Sequence, residues 1–121
     1  MSTRKVAEQL VDMCREGQFI EAIEQLYRGD IVSREMPGIP NQVTTGQQAV
    51  TQKGLDWLKN VIKFHNKTVS DPIVAGEHFS VTMEFDVTLK DRGRTRMEEI
   101  CIYRVSDGKI VAEQFFYSVP G

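Results

Sequence analysis

From Phe79 to Leu89 apolar and polar side chains alternate without a break: Phe79, Val81, Met83, Phe85, Val87 and Leu89 interleave with Ser80, Thr82, Glu84, Asp86 and Thr88. A period of two over that length predicts a long strand with one face on a core. Turn residues at Asp91 to Gly93 and at Ser106 to Gly108 then divide two further strands, Thr95 to Val105 and Lys109 to Tyr117. Upstream, Thr68 to Ala75 reads as a strand interrupted near Pro72, which lacks the N–H a central strand would need.

The first half of the chain has a different period. Val6, Leu10, Met13 and Cys14 share one helical face, and Gly17 offers a stop. Phe19, Ala22, Ile23, Leu26 and Tyr27 predict a second short helix ended by Gly29 and Asp30. Ile31 to Met36 predicts a short strand, and Pro37, Gly38 and Pro40 a loop. Thr44 and Thr45, followed by Gln47 and Gln48, suggest a capping box. The third helix it would open carries Val50, Trp57, Leu58, Val61 and Ile62 on its apolar face, with Gly54 allowing a close approach. Helices followed by a meander of strands predict an α+β fold, with N-terminal helices packed on a strongly curved antiparallel sheet over residues 1–121 as one domain.

Glycine at the third position of each late turn suits a three-residue hairpin connection. That register puts the odd-numbered residues from Phe79 to Tyr117 on the inner face. It pairs Phe85 with Glu99, Met83 with Cys101, Tyr103 with Val111, Cys101 with Glu113 and Glu99 with Phe115. A two-residue loop would reverse the facing. Glu99 and Glu113 then become diagonal neighbours, roughly 7 Å apart, on an otherwise apolar face. Burial of such a pair raises at least one carboxyl pKa, as an acid/base site requires. Glu99 and Glu113 are therefore the candidate catalytic residues. Tyr27, Met36, Trp57, Phe85, Cys101, Tyr103, Phe115 and Tyr117 are candidate ligand contacts. The opposite face, with Ile100, Ile102, Ile110 and Phe116 among Glu and Arg residues, is too apolar for solvent and suggests a homodimer. His65 is expected to be a hydrogen-bonded structural residue.

The 121 residues carry a formal net charge of -2, which attracts neither nucleic acid nor an anionic membrane. Cys14 and Cys101, the only cysteines, have no metal-ligand spacing and read as small buried apolar residues, so neither a metal nor a cofactor is expected. Without an apolar signal segment, the expected location is cytoplasmic.

The element order, the segment Gly46 to Val50 leading into the Trp57 helix, and the stretch Tyr103 to Val111 with its Phe115, Phe116, Tyr117 ending resemble the SnoaL-like members of the nuclear transport factor 2-like superfamily. That resemblance implies a cone-shaped fold, a pocket between sheet and helices, and frequent dimers. The ketosteroid isomerase members use an Asp base with a Tyr and a protonated Asp. Here those positions fall at Met36, near Met13 or Cys14, and at Cys101, so that chemistry is not expected. SnoaL-type cyclases use acid/base carboxylates, for which Glu99 and Glu113 are the nearest equivalents. The function expected is a pocket for a small, largely apolar organic molecule, with cofactor-independent acid/base catalysis as an isomerase, cyclase or hydrolase/hydratase open to it. The alternative is a non-catalytic dimeric ligand-binding or protein-interaction module.

Overall fold

A computed structural model of the chain describes residues 1–119. Its elements run α1 (Thr3–Arg15), α2 (Phe19–Leu26), β1 (Tyr27–Arg34), β2 (Val43–Thr45), α3 (Gln47–Asn60), β3 (Val61–Val69), β4 (Ile73–Ala75), β5 (His78–Leu89), β6 (Gly93–Ser106) and β7 (Lys109–Phe116). The strands form one sheet in the order β2-β1-β7-β6-β5-β3, with β4 paired to β5. All pairings are antiparallel except β1 with β7. The three helices cover one face. Val6, Leu10 and Cys14 of α1, Leu26 of α2 and Val50 of α3 are buried against Phe79, Val87, Cys101 and Tyr103 of the sheet.

Several boundaries differ from those the sequence predicts. Tyr27 is not helical: α2 stops at Leu26, and β1 starts four residues earlier than expected. The helix ends without a glycine because side chains from elsewhere take its carbonyls. Gln47 Nε2 donates to the carbonyls of Ile23, Glu24 and Tyr27, and Lys109 Nζ donates to that of Gln25. Gln47 is thus absent from the expected capping box. The α3 N-cap is Gly46 (φ 97°), which has no side chain to contribute. Val61 and Ile62 leave α3 for β3, which pairs with β5. Gly54 does mark a close approach, since a Cβ there would stand 3.1 Å from Ile20 Cδ1 of α2.

The hairpins keep the predicted facing by a different route. Between β5 and β6 the loop has three residues, as expected, but Leu89 pairs with Gly93, so every partner shifts by two: Phe85 lies opposite Met97, and Met83 opposite Glu99. Between β6 and β7 the loop is only Asp107 and Gly108, both at positive φ (50° and 77°). A two-residue turn of this kind would turn the inner face outward. A bulge cancels it. Val105 pairs with Ile110 but Arg104 with Ala112, leaving Val111 as the extra residue. Tyr103 therefore faces Glu113, and Cys101 faces Phe115. Ile110, expected on the outer face, is buried beside Val111 because the bulge turns both inward. Glu99 and Glu113 are consequently not diagonal neighbours: the residue opposite Glu113 is four positions along β6 from Glu99.

Candidate functional site

Burial along β6 defines the site. Its odd-numbered residues all face the helices. Tyr103 and Cys101 are buried, whereas Glu99, Met97 and Thr95 are partly exposed. The inner face thus passes from a closed core to an open rim at Glu99. Across β7, Glu113 is buried and Phe115 half-buried, and Tyr117 follows the strand half-buried. On the helical side, α3 presents Val50, Lys53 and Trp57 at i, i+3 and i+7, one face of the helix. Trp57 packs on Phe64 and Phe85, with ring centroids 5.8 and 5.6 Å away, and Phe19 of α2 closes on the same two rings. These aromatics wall the site on the β3 side.

On the β1 side the wall is polar. The Tyr27 hydroxyl donates to Glu113 Oε1, and Ser33 Oγ donates to Glu113 Oε2 at 2.6 Å. Lys53 Nζ donates to Ser33 Oγ at 2.9 Å, lies 3.5 Å from Glu35 Oε2 and stands 5.6 Å from the Phe115 ring centre. Tyr117 donates to Glu35 Oε1 at 3.1 Å. One network therefore runs from the interior at Tyr27 to the rim at Tyr117, through β1, α3 and β7.

The carboxyls differ in environment. Burial raises the pKa of Glu113, and the hydrogen bonds from Ser33 and Tyr27 and the charge of Lys53 oppose that rise. Both Glu113 oxygens are engaged. Among the described residues, the one hydrogen-bond partner of the Glu99 side chain is the Cys101 thiol, 3.6 Å from its Oε1. Its pKa is pushed up to about 7, first by burial; Glu35 and Glu113 push the same way, and the thiol and Lys53 oppose. Burial also raises the thiols of Cys14 and Cys101, to about 12 for Cys14, so neither is a nucleophile near neutral pH.

Of the ten candidate residues, Glu113, Tyr27, Phe85, Cys101 and Tyr103 are enclosed in the core. Glu99, Met36, Trp57, Phe115 and Tyr117 keep partial exposure. Sequence reasoning missed Ser33, Glu35 and Lys53. Lys53 left a trace, a lysine on the apolar face of α3. Ser33 and Glu35 gave none, because their facing depends on the parallel pairing of β1 with β7. His65 is half-buried and bonded to Thr88 Oγ1 at 2.7 Å, a structural role as expected. Two surface depressions, about 280 Å³ beside Arg4, Arg15 and Pro72 and about 460 Å³ beside Glu24, Gln47 and Gln52, lie away from Glu99 and Glu113. Among the described residues no group of His, Cys, Asp and Glu could hold a metal ion, and no helix is long and apolar enough to cross a membrane.

Comparison with solved structures places the fold. A protein from Mesorhizobium loti, proposed to be a SnoaL-like polyketide cyclase, is 34% identical, with 97% of this chain and 100% of that chain covered and a TM-score of 0.91. A protein of ketosteroid isomerase-like fold from Catenulispora acidiphila, solved with trimethylamine, is 16% identical over 98% of this chain and 88% of that one (TM-score 0.74). TerC, co-crystallised with polyporic acid, is 15% identical over 97% and 92% (TM-score 0.75). Comparison with curated proteins yields no match. The sequence profile of the SnoaL-like domain matches residues 1–117, and with the fold and the Mesorhizobium relative it establishes that this chain belongs to the SnoaL-like domain family.

Proposed function

We propose that the chain, acting as one domain, binds a small, largely apolar organic molecule at the rim between α3 and β6 and moves a proton on it by acid/base chemistry. The observation that carries this reading is Glu99: an inward-facing carboxyl at the boundary of core and solvent, weakly hydrogen-bonded, with a pKa pushed up to about 7. A carboxyl of that affinity both accepts and returns a proton near neutrality. Glu113 supports it as the buried anchor of the polar wall, since its oxygens are already bonded to Tyr27 and Ser33. Met36, Trp57, Phe115 and Tyr117 are the ligand contacts with accessible surface. The organic ligands of TerC and of the Catenulispora protein fit this reading. The proton transfer calls on the chain's own groups alone, and a cytoplasmic setting suits it.

Exchange of the carbon-bound protons of phenylacetone for deuterium, followed by NMR, tests the reading. The wild type should accelerate exchange, rising with pH through about 7 as Glu99 ionises. Glu99→Gln should slow it roughly 100-fold or more while binding persists. Equal exchange in both proteins would remove Glu99 from the chemistry.

The non-catalytic alternative draws on the outer sheet face. Ile100, Ile102 and Phe116 are 49, 37 and 38% exposed there, and Ile100 lies opposite Phe116 across β6 and β7. Arg96 pairs with Glu84, and Arg94 with Asp86, on that face. A second copy covering the row would bury it within a charged border, under either reading of function. Sedimentation should give a dimer for the wild type and a monomer for Ile102→Asp. A wild-type monomer at high micromolar concentration would end the dimer reading.

A further inference from the structure

We infer that the Glu35 carboxylate is a latch: held by Tyr117 at the end of β7 and by Lys53 of α3, it fastens the loop of residues 36–42 against the rim of the inner face, and a ligand enters by releasing it. The latch is read from the geometry; its part in ligand entry rests on the rim binding proposed above.

Three elements distant in the chain meet at this one side chain. Glu35 follows β1 directly, Tyr117 follows β7 directly, and the two strands run parallel, so both residues leave the sheet at the same end. That end is the Glu99 end. Ile100 pairs with Phe116 across β6 and β7, so Glu99 and Tyr117 are the next residues of the two strands. The Tyr117 hydroxyl donates to Glu35 Oε1 at 3.1 Å, and Lys53 Nζ lies 3.5 Å from Oε2. Burial raises the pKa of Tyr117, and the charges of Glu35 and Glu99 add to the rise, so the phenol keeps its proton and stays a donor.

Two features make the fastening reversible. The loop has few ties of its own. Pro37 and Pro40 carry no N–H. Among the described residues, its backbone bonds beyond the β1–β2 ladder are Glu35 N to the Gln42 carbonyl at 2.8 Å and Ile39 N to the Met36 carbonyl at 3.3 Å. Pro37, Gly38, Pro40, Asn41 and Gln42 are exposed. A segment so sparsely bonded opens easily unless a side chain pins it, and Glu35 is the pin. The pin is also imperfect. Glu35 Oε2 is buried and, among the described residues, accepts no hydrogen bond. The Lys53 ammonium, 3.5 Å away, donates instead to Ser33 Oγ at 2.9 Å. A buried carboxylate oxygen without a donor is costly, so the closed arrangement is held by a small margin. Release lets water, or a donor group of the ligand, reach that oxygen.

Hydrogen exchange of the Glu35 and Ile39 amides, followed by NMR, reports opening of the loop. Tyr117→Phe, which removes only the hydroxyl, should speed both about tenfold. The amides of β5 should keep their wild-type rates, which separates a released latch from a weakened fold. Ligand entry is read in the same two proteins by stopped-flow with prodan, a neutral naphthyl ketone whose fluorescence reports an apolar site. Its association should also quicken about tenfold in Tyr117→Phe, as a larger open fraction requires. Unchanged rates at Glu35 and Ile39 would overturn the latch. Faster amides with equal prodan association would overturn its part in entry. Either result leaves Glu99-dependent phenylacetone exchange, and with it the rim reading, standing. Prodan bound by neither protein would overturn the entry role, and joined with no phenylacetone exchange by the wild type it would overturn the rim reading as well.

Discussion

Glu99→Gln should make the protein more stable at pH 8 by about 2 kcal/mol, while removing the activity proposed for it. Folding raises the proton affinity of this carboxyl, from an ordinary value of 4.5 to about 7. Between those two values the native state holds a proton that the unfolded chain releases, so stability falls as pH rises. The contribution of protonated Glu99 is complete below about pH 4.5 and is lost as pH passes through about 7. The full difference is on the order of 3 kcal/mol, at about 1.4 kcal/mol per pH unit. Partial exposure at the rim reduces it to about 2 kcal/mol. Glutamine keeps the shape and cannot ionise. Urea unfolding from pH 5 to 8 should therefore decline for the wild type and decline less for the variant. Parallel curves would mean that Glu99 titrates as it does in water.

Glu113→Ala should be the most damaging single change at the polar wall, lowering stability by about 4 kcal/mol. Alanine leaves the hydroxyls of Tyr27 and Ser33, both on buried residues, without their acceptor. A buried polar group without a partner costs about 1–3 kcal/mol, and the lost side-chain volume adds to two such groups. Lys53 would also lose the carboxylate that its charge reaches through Ser33. Glu113→Gln retains an oxygen for one hydroxyl and should cost about half as much. Denaturant midpoints at one pH check the order. An alanine variant within 1 kcal/mol of wild type would show that the network is not closed around Glu113.

The sequence carried the facing of the sheet better than its pairing. Strict alternation in β5 identified which residues look inward, since facing depends only on parity. Pairing depends on loop length and bulges. The β6–β7 hairpin joins a two-residue turn to a bulge at Val111, each of which would reverse the facing alone. Their cancellation preserved the odd-numbered face and moved Glu113 opposite Tyr103, away from Glu99. The helix boundaries failed for a tertiary reason. The end of α2 is set by Gln47 and Lys109, twenty and more residues distant. Glu99 and Glu113 were legible as carboxyls on an apolar face. Their separation into a weakly bonded rim carboxyl and a fully bonded interior one was not, because Ser33 and Tyr27 reach Glu113 from β1, whose place beside β7 is a long-range, parallel pairing.

The most direct examination is an NMR titration of the Glu99 side-chain carboxyl carbon, assigned by its disappearance in Glu99→Gln. A midpoint near pH 7 would bear out a half-buried carboxyl on the inward face of β6. A midpoint near 4.5, the value of a solvated glutamate, would contradict the site and the chemistry built on it.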